Sequence, residues 1–158
     1  MTMYLLLKFL HITSVIAFLG NVTTGLFWHA HAMRSRDARL LAHTMDGIIR
    51  SDRLFTIPGV VGITTAGIAL ALYGHFPLLR TGWILWTIVL FSFSGIVFSV
   101  RVAPLQRQLR DLASAGAREG GFDFERYRAL ARRWEIWGAV ALLTPFAGLA
   151  LMVLKPIF

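Results

Sequence analysis

The 158-residue chain has no cysteine, five histidines and five methionines. Thiol nucleophiles, iron–sulfur clusters and thiolate zinc sites are excluded by that composition. No phosphate-binding glycine pattern, nucleophile elbow or His-Glu-x-x-His string occurs either. Imidazole is therefore the main chemistry left, and His11 is its most informative instance. It stands inside an apolar run, where a titratable side chain is expensive and normally faces other helices. At 100° per residue, His11, Ser14, Phe18, Asn21 and Gly25 fall within about an 80° arc of one helix. Lys8 lies about one turn earlier and can extend its ammonium to the interface. Such a stripe makes either a ligand site or a hydrogen-bonded helix seam, and both readings stay open.

His29 returns to the helical angle of His11 eighteen residues on, about 27 Å along the axis. His75, beyond the second apolar run, could approach His11; His43 could approach His29 or His31. Facing histidines in a four-helix bundle are the building blocks of a bis-imidazole haem b site. Its expected lining is His11 and His75 with Ser14, Asn21 and Lys8. A metal could alternatively meet His11, His29 or His43. Copper would suit the imidazole and thioether groups of His29, His31 and Met33 with His43 and Met45. Alternate residues of a helix point about 200° apart, so His29 and His31 reach one ion only if that segment unwinds. The bland reading of His29, His31 and His43 is a solvated interfacial cluster.

The elements carrying these groups are membrane helices. The chain is 56% hydrophobic and only 15% charged. Four segments, at about 3–28, 54–73, 81–100 and 134–154, meet the requirement of about 20 apolar residues for a bilayer span. The expected fold is all-α: a single four-transmembrane-helix bundle over residues 1–158, its helices extended into the cytoplasm. The first segment lacks a basic leader and is too long for a signal peptide. Asn21 and Thr23 form a glycosylation sequon, but inside a span. Asp37 is placed to cap a helix running into the second span, and Asp123 one running into the fourth. Ala113 to Gly121 reads as a flexible linker. Pro58 and Pro145 are expected to kink their spans. Gly59, Gly62, Ala66 and Gly67, and Ser92, Gly95 and Ser99, supply small-residue packing faces.

Thirteen of the sixteen Lys and Arg residues lie in the segments between spans one and two and between spans three and four, and all eight acids fall on that same side, Glu135 at the very start of span four. The positive-inside rule makes those segments cytoplasmic and puts both termini on the outer side. Tyr4, Tyr73, Trp83 and Trp86 then mark the outer interface, and Trp28, Tyr127, Trp134 and Trp137 the inner one. The basic excess orients the chain and attracts anionic lipids rather than nucleic acid. Glu135 with Arg132, and Asp52 with Arg101, are expected ion pairs at the cytoplasmic boundary.

Several strings resemble a bacterial four-helix integral-membrane family, domain of unknown function 2269. They are Leu7-Lys8-Phe9-Leu10-His11-Ile12, Phe18-Leu19-Gly20-Asn21, Arg53-Leu54-Phe55-Thr56-Ile57-Pro58-Gly59, Pro104-Leu105-Gln106-Arg107 and Met152-Val153-Leu154-Lys155-Pro156. The resemblance implies the bacterial inner membrane and a four-span topology, with no established reaction. The Lys8–His11 opening and Lys155-Pro156 ending are also distantly similar to the HemJ-type membrane protoporphyrinogen oxidases. That likeness implies haem binding through His11. The lysine that follows a tryptophan in that family's third helix has no counterpart after Trp83 or Trp86, and its motif entering the last helix is replaced by Trp134-Glu135-Ile136. Copper-resistance D type proteins share the four-helix style and a first-helix histidine. Three functions are thus expected in turn: haem or porphyrin binding through His11 with electron or tetrapyrrole handling; an accessory or assembly subunit of a larger membrane complex, or a homo-oligomer; and copper handling.

Overall fold

The computed structural model describes residues 2–156, and all of its regular structure is helical. Helix α1 (Thr2–Ala32) ends in a short 3-10 turn, after which Arg36 takes a left-handed conformation at φ 54°. Helix α2 (Ala38–Ser51) passes through a π-helical stretch, Asp52–Thr56, directly into α3 (Ile57–Tyr73). In the same way α4 (Gly82–Val97) passes through Phe98–Val102 into α5 (Ala103–Glu119). Helix α6 spans Phe124–Leu154. The chain therefore makes four long helices of 34, 36, 38 and 31 residues, each apolar enough to cross a membrane. At 1.5 Å per residue even the shortest exceeds the roughly 30 Å hydrocarbon layer. At the Arg-rich end the helices run on past their apolar stretches, as the composition of the two polar segments implied.

Local signals explain the starts of these helices. The Asp37 carboxylate accepts the Arg39 N–H at 2.8 Å, and the Asp123 carboxylate accepts that of Arg126 at 2.9 Å. Each neutralises a backbone donor that the first turn leaves without a partner. Beyond α5 the chain turns at Gly120 and Gly121, whose φ values of 75° and 69° favour glycine. The linker expected over Ala113 to Gly121 is thus mostly helix. Ala113 is fully buried, and Gly116 lies against Phe122. Alanine is the best helix former, and Leu105, Leu109 and Leu112 give this helix an apolar face to dock.

Prolines and π stretches coincide. Pro58 and Pro104 each fall on the second residue after such a stretch. A helical proline lacks its N–H and collides with the carbonyl four residues before it. One extra residue in the preceding turn shifts the register, so that Ile57 N–H meets the Asp52 carbonyl and Ala103 N–H that of Phe98. Pro145 is buried within α6, which continues through it as helix.

Packing differs between the two ends. At the Arg-rich end α2 lies on α5, and large side chains fill the centre: Leu41, Met45, Leu109, Tyr127 and Trp134 are almost wholly buried. In the spans, α1 pairs with α3 and α4 with α6. Large apolar groups such as Phe9, Ile16, Leu72 and Leu143 point outward there, as lipid-facing residues do. Close approach falls to small residues. A Cβ on Gly59 would stand 3.0 Å from Phe18 Cβ and 3.3 Å from the Ser14 carbonyl oxygen, while Gly62 faces the Ser14 hydroxyl. The second expected small face is corrected: Ser92, Gly95 and Ser99 all point out of the bundle. Helix α4 instead uses Ser94, whose hydroxyl donates to the Ala141 carbonyl at 2.6 Å, and Thr87, which reaches that of Gly148 at 3.2 Å.

Gly59→Ala should lower the unfolding free energy by about 1–3 kcal/mol, the usual cost of overpacking. Gly95→Ala, with nothing within 4 Å of its Cβ position, should leave it almost unchanged. Thermal unfolding of the two variants in the same mild detergent checks the contrast.

Candidate functional site

Three polar centres lie along the bundle. The first is His11, held in the α1–α3 seam. Its Nδ1 lies 3.0 Å from the Ile63 carbonyl oxygen, and its Cε1 is 3.1 Å from where a Gly67 side chain would begin. A carbonyl only accepts, so Nδ1 carries the proton and Nε2 the lone pair. Glycine at position 67 makes room for the ring. The seam reading of His11 is thus realised, and it leaves one ring nitrogen free for other chemistry. The remaining members of the expected haem lining are dispersed. Ser14 donates to the Leu10 carbonyl at 2.8 Å within its own helix. Lys8 is exposed. His75 is exposed in the turn after α3, at φ 54°, about two helical turns past Gly67 in the chain.

The second centre is one that the residue pattern did not single out. Asp52, on the π stretch between α2 and α3, is only 7% exposed. Its Oδ1 accepts from Thr56 Oγ1 at 2.8 Å and from Asn21 Nδ2 at 3.1 Å. Its Oδ2 accepts from Gln106 Nε2 at 2.9 Å. Asn21 also donates to the Thr56 hydroxyl at 2.9 Å. One carboxylate thereby joins α1, the α2–α3 junction and α5 through neutral donors. The expected pairing with Arg101 does not form; that guanidinium lies 5.4 Å from the centre of the Trp137 ring. Arginine's long stem lets its charge reach outward, while the short Asp52 side chain remains between helices. Asn21, expected to line a site with His11, belongs to this centre instead. A cavity of about 20 Å³ adjoins it, lined by Asn21, Asp52, Gln106, Trp134 and Gly138 among others. The Trp134 indole nitrogen is buried and has no hydrogen-bond partner among the described residues.

The third centre is His29, fully buried near the Arg-rich end of α1. Its Nε2 is 3.1 Å from the Tyr127 hydroxyl, and its ring meets Trp134 edge-on, with centroids 4.8 Å apart. Nδ1 stands 3.5 Å from Glu135 Oε1, an ion-pair distance without hydrogen-bond geometry. Glu135 therefore faces His29 and not Arg132, correcting the expected pair. It also lines an open groove of about 490 Å³ with Met33, Glu125, Arg128 and Arg132. His31 stacks on Phe27 and meets Trp28 edge-on, and His43 is exposed on α2. Among the described residues no three or more His, Asp or Glu side chains are grouped so as to hold a metal ion. His11, His29 and His43 are thus not assembled into one site.

Gln106 was missed, and Asp52 was assigned to Arg101, because the true partners are 31 and 54 residues distant, a separation that helical periodicity does not record. The signal available was the clustering of polar residues near Pro58 and Pro104: Thr56 and Gln106 stand in strings that carried the family resemblance, and Asp52 directly precedes one of them. A family model described as a predicted integral membrane protein, DUF2269, matches residues 5–156. The chain belongs to this family. No curated protein and no solved structure matches it. In this DUF2269 member the match runs through all three polar centres, from His11 to Glu135.

The His29–Tyr127 contact should be worth about 1 kcal/mol, as a buried neutral hydrogen bond is. A double-mutant cycle of His29→Leu and Tyr127→Phe, followed by thermal unfolding, should return a coupling of that size. Additive losses would show that the two side chains act independently.

Proposed function

We propose that this protein lies in the bacterial inner membrane with both termini outside, and holds one b-type haem or related tetrapyrrole through His11. The observation that carries the reading is the Nδ1–H of His11 donating to the Ile63 carbonyl. A second hydrogen bond of this kind fixes the tautomer and ring plane of ligating imidazoles and raises their basicity, leaving Nε2 for the iron. Of the residues expected to line such a site, His11 alone would hold the group. His75 stays in the exposed turn, and Ser14 and Asn21 are spent on the Leu10 carbonyl and on Asp52. Lys8, exposed one turn before His11, is the group to pair with a propionate. A bound haem would supply electron transfer at the outer half of α1; the chain's own part is to hold and orient the imidazole. The orientation rests on the excess of arginine at one end of the bundle. The Arg-rich end then faces anionic cytoplasmic lipids.

A second reading has an observation of its own. Ser92, Gly95 and Ser99 form an outward face on α4 with open space at Gly95. Small residues let membrane helices approach closely, so this face supports packing in a larger membrane complex or with a second copy.

Protein purified in mild detergent from haem-supplemented cells should show a Soret band that shifts on dithionite reduction. The band should disappear in His11→Gly, return on addition of imidazole, and persist in His75→Ala. A colourless wild-type protein would overturn the tetrapyrrole reading. On a native gel, a larger species for wild type that is lost in Gly95→Leu would support the second.

A further inference from the structure

The Asp52 centre is not used by anything proposed above, and it has the makings of a binding site in its own right. A buried carboxylate is costly unless it is paired or neutral. Among the described residues Asp52 has no ion-pair partner; its contacts are an amide, a hydroxyl and a second amide. A carboxylate offers about four acceptor positions, of which three are filled. Asp52 also lines the cavity of about 20 Å³, large enough for one water molecule. Trp134 lines the same cavity, and its indole N–H is one of two buried polar side-chain atoms without a partner among the described residues. A water in this cavity would satisfy both groups by accepting from Trp134 Nε1 and donating to Asp52.

We propose that Asp52 is a proton-binding site, loaded through a single water molecule held between its carboxyl and the Trp134 indole. Uptake is a simple transfer. The water gives a proton to the Asp52 carboxylate and regains one from solvent, so that the site becomes neutral and no electron moves. The protonated oxygen then donates either to that water or to the Gln106 carboxamide oxygen, once the amide has rotated. Release reverses these steps. Because Asn21, Gln106 and Thr56 all hold the ionised form, the two protonation states bind α1 and α5 to the α2–α3 junction with different strength.

No nearby charge decides the titration. On α2 Asp46 is engaged with Arg50 at 2.8 Å, and Arg53 is exposed. On α1 the titratable neighbour is His29, which faces Tyr127 and Glu135 of α6. On the α4–α5 side Arg101 lies over Trp137, and Arg107 is exposed. None of these forms an ion pair with Asp52. The inference is independent of His11, and a colourless protein would leave it intact.

Infrared difference spectra of the purified protein, taken between acid and alkaline pH, test it. Wild type should show a carboxylic C=O stretch that is replaced by carboxylate bands as pH rises and that shifts in D2O. Asp52→Asn should lack this band, and Asp52→Glu should restore one at a new frequency. Thr56→Val keeps the carboxyl but removes a donor to its ionised form, so the midpoint should move about one unit toward alkaline pH. In Trp134→Phe, which loses the water's donor, the C=O band should change frequency. Identical spectra for wild type and Asp52→Asn, or a midpoint unmoved by Thr56→Val, would overturn the proton site. A C=O band unchanged by Trp134→Phe would overturn the water link.

Discussion

One buried carboxylate decides how the two ends of this bundle are joined. Asp52 accepts hydrogen bonds from Asn21 of α1, Thr56 at the head of α3 and Gln106 at the head of α5. These contacts fall where amphipathic helix and apolar span meet, at the α2–α3 and α4–α5 junctions. Neutral donors make this possible: an arginine in the same place would add a second charge to desolvate. The π stretch at Asp52–Thr56 contributes by adding a residue to the turn before Pro58. Asp52 and Thr56 thus lie side by side facing α1, with the threonine hydroxyl both donating to the acid and accepting from Asn21.

On either side of that level the packing chemistry changes because the solvent changes. Toward the Arg-rich end, α2 and α5 bury Leu41, Met45 and Leu109 as a water-soluble domain would, gaining from apolar area removed from water. Toward the termini there is no such gain, since lipid is as apolar as leucine. Helices there associate through close backbone approach at Gly59, Gly62 and Gly148 and through hydroxyls donating across helices, as Ser94 does to Ala141. The same residue type therefore does different work at different depths. Thr64 and Thr65 only return their hydroxyls to carbonyls four residues back, the one way to hide a donor on a lipid-facing surface.

What was legible in the sequence is what depends on local or cumulative signals. The four spans follow from length and hydropathy, and the starts of α2 and α6 from Asp37 and Asp123, whose caps involve residues two and three positions away. His11 was legible as a bundle-facing group because charge economy in a bilayer is a one-residue argument. The partners of polar groups were not legible, since they are set by which helix lies alongside. Asn21 shares the angular arc of His11, yet Asp52 takes it. Ser94 was passed over for Ser92, Gly95 and Ser99 because a small-residue spacing marks a face without stating which neighbour it meets. Ala113 to Glu119 misled for a different reason. Its small residues resemble a linker in composition, but alanine's helix propensity and the stripe from Leu105 to Leu112 outweigh that likeness.

The distribution of polar groups divides the spans unequally. Between α4 and α6 the cross-helix hydrogen bonds run from hydroxyl to carbonyl, Thr87 to Gly148 and Ser94 to Ala141. Between α1 and α3 they involve an imidazole and, at the junction, a carboxylate. Serine and threonine suffice to join two membrane helices, as the α4–α6 pair demonstrates. An imidazole and a carboxylate in the equivalent seam cost more to desolvate and make the same kind of contact, so stability alone does not account for them. That excess of chemistry over structural need is what supports placing the proposed haem and proton sites in the α1–α3 half. The α4–α6 half contributes Gln106 through α5 and Trp134 through α6 at the level of Asp52.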